Sequence, residues 1–513
     1  MRLPARPARH RSAARRPGHG PPARDADIVI VGGGTAGAVL AARLSEKPSR
    51  QVTLLEAGPV HRPARLPYRL ASSAVIGTAT GHDWGYTASP GGARLPRGKV
   101  LGGSSAVNAT VAMRALPSDF ARWSANGLRG WTFAEVLPSY RRLERADHGS
   151  DALRGRAGPV PVHRLEDHEL SRAQAGLLEA AAALGHPRTD FNSARPRGAS
   201  PYPVTAAEGV RINTAMAYLT EEVRARPGLR IEEHALADRV MFDGDRAAAV
   251  RLADGRVLPA RDIVLCCGTY GSAAVLLRSG VGPADRMRAL GIPVVADLPV
   301  GTAYQDHPLL YLVHTGWPHR LGRPRSVAGA ALWTAGAEAT EGELDLHVGV
   351  MQPVFPPLVP GLALIVGLTR PHSRGVIELA SRDPALAPRI RPRHLSDERD
   401  QRRFREGVTL ACRLTRTHPL ADLLGPRVLP PALVPGAAGG RALEAAVRTF
   451  HHPTSSAPMG ADEDPAAVVD ASGRVRGTRG LRVIDASIFP DVPSAPTNLT
   501  VIMAAEHLAG TFR

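Results

Sequence analysis

The sequence predicts an α/β protein with more than one domain, and three features of the chain support this. Its 513 residues exceed the roughly 250 to 300 at which a single hydrophobic core stops growing. Near the amino terminus, the apolar run Ile28 to Val31 predicts a buried strand, and residues 36 to 44 carry helical spacing. A second apolar run, QVTLLEAG, follows the helix, so the chain opens with the strand–helix–strand order of a doubly wound sheet.

The turn between this strand and helix carries the pattern G-x-G-x-x-G at Gly32, Gly34 and Gly37. The first glycine permits a tight turn, the second lets the backbone approach a pyrophosphate, and the third allows the helix to pack closely on the strand. Free N–H groups at the helix N-terminus favour bound phosphates. Glu56 ends the second strand, 19 residues beyond Gly37, where a carboxylate can accept hydrogen bonds from both ribose hydroxyls of an adenosine. Together these features predict an ADP-binding unit, which by itself serves nicotinamide and flavin cofactors alike.

The chain is strongly basic, with a formal net charge of +17, but the charge is not clustered as in a nucleic-acid-binding protein. Residues 1–25, rich in arginine and proline, are predicted to be a disordered tail, and no apolar segment follows that would make a secretory signal. The three cysteines, Cys266, Cys267 and Cys412, are too few for a disulfide framework, and no metal site is predicted. With no apolar run long enough to span a bilayer, the sequence favours a cytoplasmic protein and leaves peripheral membrane association open.

Residues 96 to 124 read PRGKVLGGSSAVNATVAMRALPSDFARWS, and the G-G-S-S run with Asn108 suits close contact with a diphosphate and a flat ring. Here the sequence resembles the glucose-methanol-choline (GMC) oxidoreductases, FAD-dependent enzymes that oxidise alcohols. Residues 98 to 121 match the first signature of that family, and residues 268 to 282 match the second, with Ala273 where proline or serine is usual. The resemblance extends from residue 26 to about residue 510 and favours FAD over a nicotinamide cofactor.

The resemblance implies two interleaved domains. A Rossmann-type FAD-binding domain is expected from residues 26–160, 205–305 and 460–513. A substrate-binding domain of the α+β kind, an antiparallel sheet backed by helices, is expected from residues 161–204 and 306–459. Because the chain is shorter than typical members once the tail is removed, we expect a trimmed substrate domain, with a more open site or one closed by another surface.

The resemblance also implies the residues that hold the cofactor. Val107 stands where some members carry a histidine that links covalently to the flavin, so the FAD is predicted to be noncovalent. The implied cofactor-binding residues are Gly32, Gly34, Thr35, Ala36, Gly37, Glu56, Ala57, Val100, Gly103, Ser104, Asn108, Ala237, Asp485, Ala486, Asn498, Leu499 and Thr500.

The stretch FHHPTSSAPMG, residues 450 to 460, resembles the family's catalytic turn. Alignment on its proline and its Met-Gly places His452 at the catalytic histidine and His451 where an aromatic residue is usual, although a shift of one residue would exchange them. Ser455 and Ser456 replace glycine and threonine. The second catalytic residue is predicted to be Asn498 in SAPTNLTVIM, with Pro496 as the equivalent under a shifted register. A neutral imidazole near its ordinary pKa is a suitable proton acceptor, and a neutral amide can hold an alkoxide oxygen.

The other titratable residues that stand out have less specific interpretations. His307 and His314 are predicted to be structural or cavity-lining, because neither has metal-ligand spacing. Asp119 and Glu506 are predicted to be surface or helix charges.

The leading functional prediction is an FAD-dependent dehydrogenase, rather than oxidase, of a small or medium primary alcohol. Its electron acceptor is open: a quinone, another carrier or O₂. Looser resemblance to a mycofactocin-linked branch of the family is one alternative. A hydroxynitrile lyase and a noncatalytic FAD-binding protein are others. Aromatic residues make up only 4% of the chain, so an aromatic cage for a quaternary ammonium such as choline is not evident.

Overall fold

The computed structural model describes residues 26–352, 361–429, 443 and 445–512, so the predicted tail of residues 1–25 lies outside the described residues. Within this part of the chain, two large sheets organise the fold.

The first sheet is built around Ala26–Val31, whose last four residues are apolar and buried. This strand runs parallel to both of its neighbours, Val52–Leu55 and Val257–Leu265. The described strands of this sheet follow the spatial order Ala237–Asp243, Arg246–Leu252, Val257–Leu265, Ala26–Val31, Val52–Leu55 and Leu229–Glu232, with Leu481–Val483 paired in parallel with Val257–Leu265. The first two strands of that order form an antiparallel meander with the start of the third. The α/β prediction with a Rossmann-type sheet is confirmed.

Three helices pack together beside the glycine turn. Thr35–Leu44 begins directly after the turn and packs against the carboxy-terminal helix Thr497–Ala509, which packs in turn against Phe133–Leu143. A Cβ atom on Gly37 would lie 1.9 Å from the Gly32 carbonyl oxygen, so only glycine fits there. The close approach of helix and strand that the third glycine of the motif allows is therefore present.

Asp119 and Glu506 lie in helices, as one alternative of their prediction has it, but the other alternative, a surface position, is wrong. Their relative exposures are 0% and 1%. Glu506 accepts hydrogen bonds from Arg43 and Arg142, and Asp119 pairs with Arg122 at 3.0 Å. Carboxylates are found at this depth when they are paired. Through these two arginines, Glu506 connects the carboxy-terminal helix to the helices Thr35–Leu44 and Phe133–Leu143.

The second sheet is antiparallel throughout its described strands. Its apolar face packs against the helices Arg172–Ala183 and Glu398–Leu414. The spatial order is Arg427–Leu429, Pro308–Thr315, Gly361–Leu368, Leu346–Met351, Ala328–Thr334 and Gly198–Pro201, with Arg448–Thr449 also paired with Pro308–Thr315. The residue boundaries of the two domains stay a prediction.

The remaining elements are short connections around the two sheets. None of the helices in the described ranges is long and apolar enough to cross a membrane. The further α-helices are Tyr68–Ala71, Pro117–Ala125, Thr214–Tyr218, Glu221–Arg224, Gly268–Arg278, Ala284–Ala289, Pro318–Leu321 and Leu420–Leu423. The smaller strands are Glu144–Ala146, Val160–Arg164, Pro203–Val204, Ala206–Ala207, Val210–Arg211, Val281–Gly282, Ala296–Asp297, Val376–Glu378 and Arg389–Arg391.

Candidate active site

One cavity contains residues from both large sheets. It begins at the glycine turn and extends to the second sheet and the turn that carries the two histidines. Most of the predicted cofactor residues line it: Gly32, Gly34, Thr35, Ala36, Glu56, Ala57, Gly103, Ser104, Asn108, Ala237, Asp485, Ala486 and Asn498. The cavity therefore brings together segments from the two ends of the described chain, such as Thr35 and Asn498, which are 463 residues apart.

The glycine turn leaves room for a bound pyrophosphate. A Cβ atom on Gly34 would have its nearest neighbour, the Gly103 Cα, at 3.7 Å, so the backbone there faces open space. Gly103, with a φ of 53°, approaches Gly34 from the G-G-S-S segment. Thr35 starts the helix whose N-terminal N–H groups point toward an anion at this place. This arrangement fits the diphosphate of a dinucleotide.

Glu56 is anchored in the way that ribose binding requires. Its two carboxylate oxygens accept hydrogen bonds from the backbone N–H groups of Gly33 at 3.0 Å and Gly58 at 2.7 Å. Burial raises the pKa of Glu56, and these two hydrogen bonds oppose the increase. Each oxygen retains a further acceptor position. The carboxylate can therefore accept hydrogen bonds from a ligand in the cavity.

Asp485 also lines the cavity, but protein donors surround its carboxylate. One oxygen accepts from the Gly268 N–H at 2.8 Å and from the Ser272 hydroxyl at 2.5 Å. The other accepts from the N–H and hydroxyl of Ser487. Asp485 thus joins the start of helix Gly268–Arg278 to the loop after Leu481–Val483.

Four of the predicted cofactor residues do not line the cavity. Gly37 packs against Gly32, and Val100 lies in a small apolar cluster. Leu499 is buried in the main core, and the Thr500 hydroxyl is 2.9 Å from the Tyr140 hydroxyl. Asn498, Leu499 and Thr500 follow one another in the helix Thr497–Ala509, so their side chains point in different directions, and of these three only Asn498 lines the cavity.

The histidine turn is held by backbone contacts on several sides. His451 adopts a positive φ of 68°, which is uncommon for residues other than glycine. Its N–H donates to the Thr449 hydroxyl at 2.7 Å, and its carbonyl accepts from Arg97 at 2.9 Å. Ser455, which replaces the family's glycine, has a φ of 66°, and the Ser456 hydroxyl donates to the Thr269 carbonyl at 2.7 Å. The turn is therefore fixed to the helix of the second signature.

His452 lines the cavity with one ring nitrogen already engaged. Its Nδ1 lies 3.0 Å from the Nδ1 of His307, and its backbone N–H donates to Asp306 at 2.9 Å. Its Nε2 has no hydrogen bond within the described ranges. If the shared hydrogen is on His452 Nδ1, its Nε2 keeps a lone pair toward the cavity.

The histidines around this turn are uncharged at neutral pH. Burial lowers the pKa of His452 well below its ordinary value of 6.5, His307 lowers it further, and Asp306 acts in the opposite direction. Burial likewise lowers the pKa of His307 and of His451 to about 4. His452 is therefore ready to accept a proton.

The amino- and carboxy-terminal models of the GMC oxidoreductase family match residues 26–309 and 371–505. The chain belongs to this family. Mitochondrial choline dehydrogenase of Mus musculus is 35% identical over an alignment of 540 positions, which covers 94% of this chain and 88% of that protein. The 5-(hydroxymethyl)furfural oxidase of Methylovorus sp. (strain MP688) is 35% identical over an alignment of 533 positions, which covers 94% of this chain and 98% of that protein. The crystal structure of pyridoxine 4-oxidase from Mesorbium loti matches with a TM-score of 0.86 at 33% identity, covering 95% of this chain and 99% of that one.

GMC oxidoreductases bind FAD, and the anchored Glu56, the open glycine turn and the histidine turn of this chain fit that cofactor. Asn498, the predicted partner of His452, lies at the cofactor end of the cavity. Its Oδ1 accepts from the Thr35 hydroxyl at 3.3 Å. Within the described ranges, Asn498 and His452 do not hydrogen-bond to each other.

Several cavity residues of this GMC oxidoreductase were missed by the sequence reasoning. Arg97 directly precedes the matched signature of residues 98 to 121, but no spacing rule indicates its contact with His451. His307 is buried and is not among the cavity residues, as the structural alternative of its prediction has it, but that prediction did not include its contact with His452. Tyr202, the residue after Gly198–Pro201, and His347 on Leu346–Met351 also line the cavity. They come together because both strands pair with Ala328–Thr334. His314, in contrast, bonds to the Gly425 carbonyl and is not among the cavity residues.

Proposed function

We propose that this protein oxidises a primary alcohol to an aldehyde with noncovalently bound FAD, with His452 as the base. The observation that carries the proposal is the uncharged imidazole of His452, whose Nδ1 is engaged by His307 and whose Nε2 faces the cavity that fits the cofactor. A dehydrogenase that passes electrons to a quinone or another carrier is the preferred form, and a mycofactocin-linked dehydrogenase is the alternative.

In the proposed reaction, His452 Nε2 accepts the hydroxyl proton of the alcohol. FAD, which the glycine turn and Glu56 would hold, would supply the two-electron acceptor for the hydride of the carbinol carbon, so that the carbonyl would form. The His307 hydrogen bond orients the imidazole for this transfer. Asp306, which accepts a hydrogen bond from the backbone N–H of His452, places a negative charge nearby that stabilises the imidazolium once it forms. Asn498 remains the proposed donor to the alkoxide: because its Oδ1 accepts from Thr35, its amide N–H groups are available to donate.

Anaerobic mixing with a panel of primary alcohols tests the proposal. Bleaching of the visible flavin absorption band is expected, and later exposure to O₂ or to a quinone compares the two acceptor classes. A hydroxynitrile lyase or a noncatalytic FAD-binding protein would keep the band unchanged with every alcohol.

The rate of flavin reduction is expected to remain high at acidic pH. A base acts while it is unprotonated, so a pKa below 6.5 preserves activity to a more acidic pH than an ordinary histidine would allow. Burial is the main cause of the low pKa of His452, and the charged or titratable groups that modify it are His307, Asp306, His451 and Arg97. Stopped-flow reduction measured against pH is expected to show a half-maximal rate below pH 6.5, with FAD content followed as the control. A half-maximal rate above that value would contradict the assignment.

FAD is expected to leave the protein on acid precipitation. Val107, which is buried and lines the cavity, has no nucleophilic atom that could bond to the flavin. Yellow colour is therefore expected in the supernatant, as for free FAD added to the apoprotein just before precipitation. Flavin that stays in the washed pellet would show a covalent link.

A further inference from the structure

The second sheet forms one wall of the cavity, and its pairing places two cross-strand rows on that wall. In the first row, Leu309 and His347 pair with Gly367 from either side. In the second row, Tyr311 and Gly349 pair with Ile365 from either side. Because side chains on one strand alternate between faces, the two rows share a face of the sheet. The side chains that line the cavity from them are Leu309, Tyr311, His347 and Ile365.

The glycines in these two rows make room for aromatic rings. A Cβ atom on Gly367 would lie 2.7 Å from the Phe450 ring, and one on Gly349 would lie 2.6 Å from the Tyr202 hydroxyl. Both rings therefore lie where a side chain from the sheet would otherwise be. The Phe450 ring also contacts the proposed base, His452: the centroids of the two rings are 4.8 Å apart. We call the part of the cavity bounded by Tyr202, Tyr311, His347, Phe450 and His452 the aromatic slot.

The aromatic slot has no negative charge among its described residues. Glu56 and Asp485 are the carboxylates of the described cavity lining, and both belong to the cofactor end. Asp306 is absent from that lining and accepts from His452 and Thr449 instead.

The polar groups of the slot are uncharged, and the same cavity also holds a positive charge. Tyr202 and His347 hydrogen-bond to each other at 2.5 Å, and burial lowers the pKa of His347 to about 3. Arg97, whose guanidinium contacts the His451 carbonyl, lines the same cavity and would repel a cation. Removing a quaternary ammonium from water without an opposite charge is unfavourable, and contact with one or two rings compensates only in part. A flat uncharged ring, in contrast, gains from burial against these walls.

We propose that the aromatic slot selects an uncharged aromatic primary alcohol, of the benzyl or furfuryl type, and disfavours quaternary ammonium alcohols such as choline. This inference rests on the proposed alcohol oxidation, because the slot ends at His452.

Anaerobic flavin reduction of the FAD-loaded protein tests the inference with three alcohols. Benzyl alcohol represents the aromatic class, choline the cationic class, and 3,3-dimethylbutan-1-ol is the uncharged carbon analogue of choline. The second-order rate constant is expected to be highest for benzyl alcohol and about tenfold or more lower for choline than for its uncharged analogue. A rate for choline equal to or above that of the analogue would overturn the inference. Failure of every primary alcohol would instead overturn the proposed function.

Equilibrium binding gives a readout that does not depend on turnover. Benzamide is expected to perturb the absorption spectrum of the bound flavin and to raise the thermal unfolding midpoint, and tetramethylammonium is expected to do neither. Binding of tetramethylammonium as tight as that of benzamide would contradict the slot's selectivity.

A matched pair of variants tests the electrostatic part. Met351 lines the cavity near the end of Leu346–Met351, and Met351→Gln and Met351→Glu have similar size but differ in charge. At a pH where the new carboxylate is ionised, the glutamate variant is expected to raise the ratio of choline to dimethylbutanol rates about tenfold above that of the glutamine variant. Equal ratios in two folded, FAD-loaded variants would show that charge does not set the preference.

Discussion

Replacing His452 by alanine is expected to slow flavin reduction by an alcohol by roughly 10²- to 10⁴-fold, the usual contribution of a general base. The imidazole is uncharged, and its Nδ1 is engaged by His307, so the change removes the proton acceptor. FAD should stay bound, because its predicted contacts lie mainly at the glycine turn and Glu56. Stopped-flow reduction and the absorption spectrum of the purified variant measure both quantities.

The control for this variant is His451→Ala in the adjacent position. His451 is also uncharged and lines the cavity, and its backbone groups contact Thr449 and Arg97. Its replacement is expected to slow reduction by less than about tenfold. If His451→Ala shows the larger loss and His452→Ala the smaller one, the assignment of the base is off by one residue.

Gly37→Ala and Gly34→Ala, two substitutions in the dinucleotide turn, are expected to affect different properties: the first the stability of the protein, the second its binding of FAD. Gly37→Ala should lower the free energy of unfolding of the apoprotein by about 3 kcal/mol or more, because its Cβ would lie 1.9 Å from the Gly32 carbonyl oxygen. Gly34→Ala should change the same quantity by no more than about 1 kcal/mol, since its φ of −76° suits alanine and its nearest neighbour would be 3.7 Å away. It should nevertheless weaken FAD binding strongly, because the new methyl group occupies the side from which a pyrophosphate approaches.

Denaturant unfolding of the two apoproteins and FAD titration of each distinguish these effects. A Gly34→Ala variant that binds FAD as tightly as the unchanged protein would contradict the placement of the pyrophosphate. Equal destabilisation by the two substitutions would contradict the assignment of a packing role to Gly37 alone.

The nucleotide-binding half of the fold could be predicted because its determinants are local. The glycine spacing, the buried strand and Glu56 all lie within one strand–helix–strand unit, whose geometry those residue types require. Gly37 packs against Gly32 as the third glycine of the motif is predicted to do. Glu56 lines the cavity, and hydrogen bonds from the backbone fix its carboxylate.

The contacts around the base could not be predicted in the same way. His307 and His452 are 145 residues apart, and their contact depends on how Arg448–Thr449 pairs with Pro308–Thr315. Spacing rules describe periodicity within an element but not the register between distant strands. The aromatic slot has the same origin, since Gly349 and Gly367 matter only because of the rings that meet them.

The burial of Asp119 and Glu506 shows a second limit of sequence reasoning. Carboxylates are mostly exposed, so the surface interpretation follows average behaviour. Glu506 is buried because Arg43 and Arg142, from two other helices, reach it. Asp119 is buried because Arg122 of its own helix and the Ser494 hydroxyl donate to it. The sequence contains these arginines but does not show which of the many charges on this chain form pairs.

Anaerobic single turnover with benzyl alcohol, and with the same alcohol deuterated at the carbinol carbon, tests most directly whether the cavity carries out alcohol oxidation. We expect the flavin band to bleach, benzaldehyde to form in an amount equal to the bound flavin, and the deuterated alcohol to react several-fold more slowly. An FAD-loaded protein whose flavin band stays unchanged with benzyl alcohol and with every other primary alcohol of the panel would contradict the account.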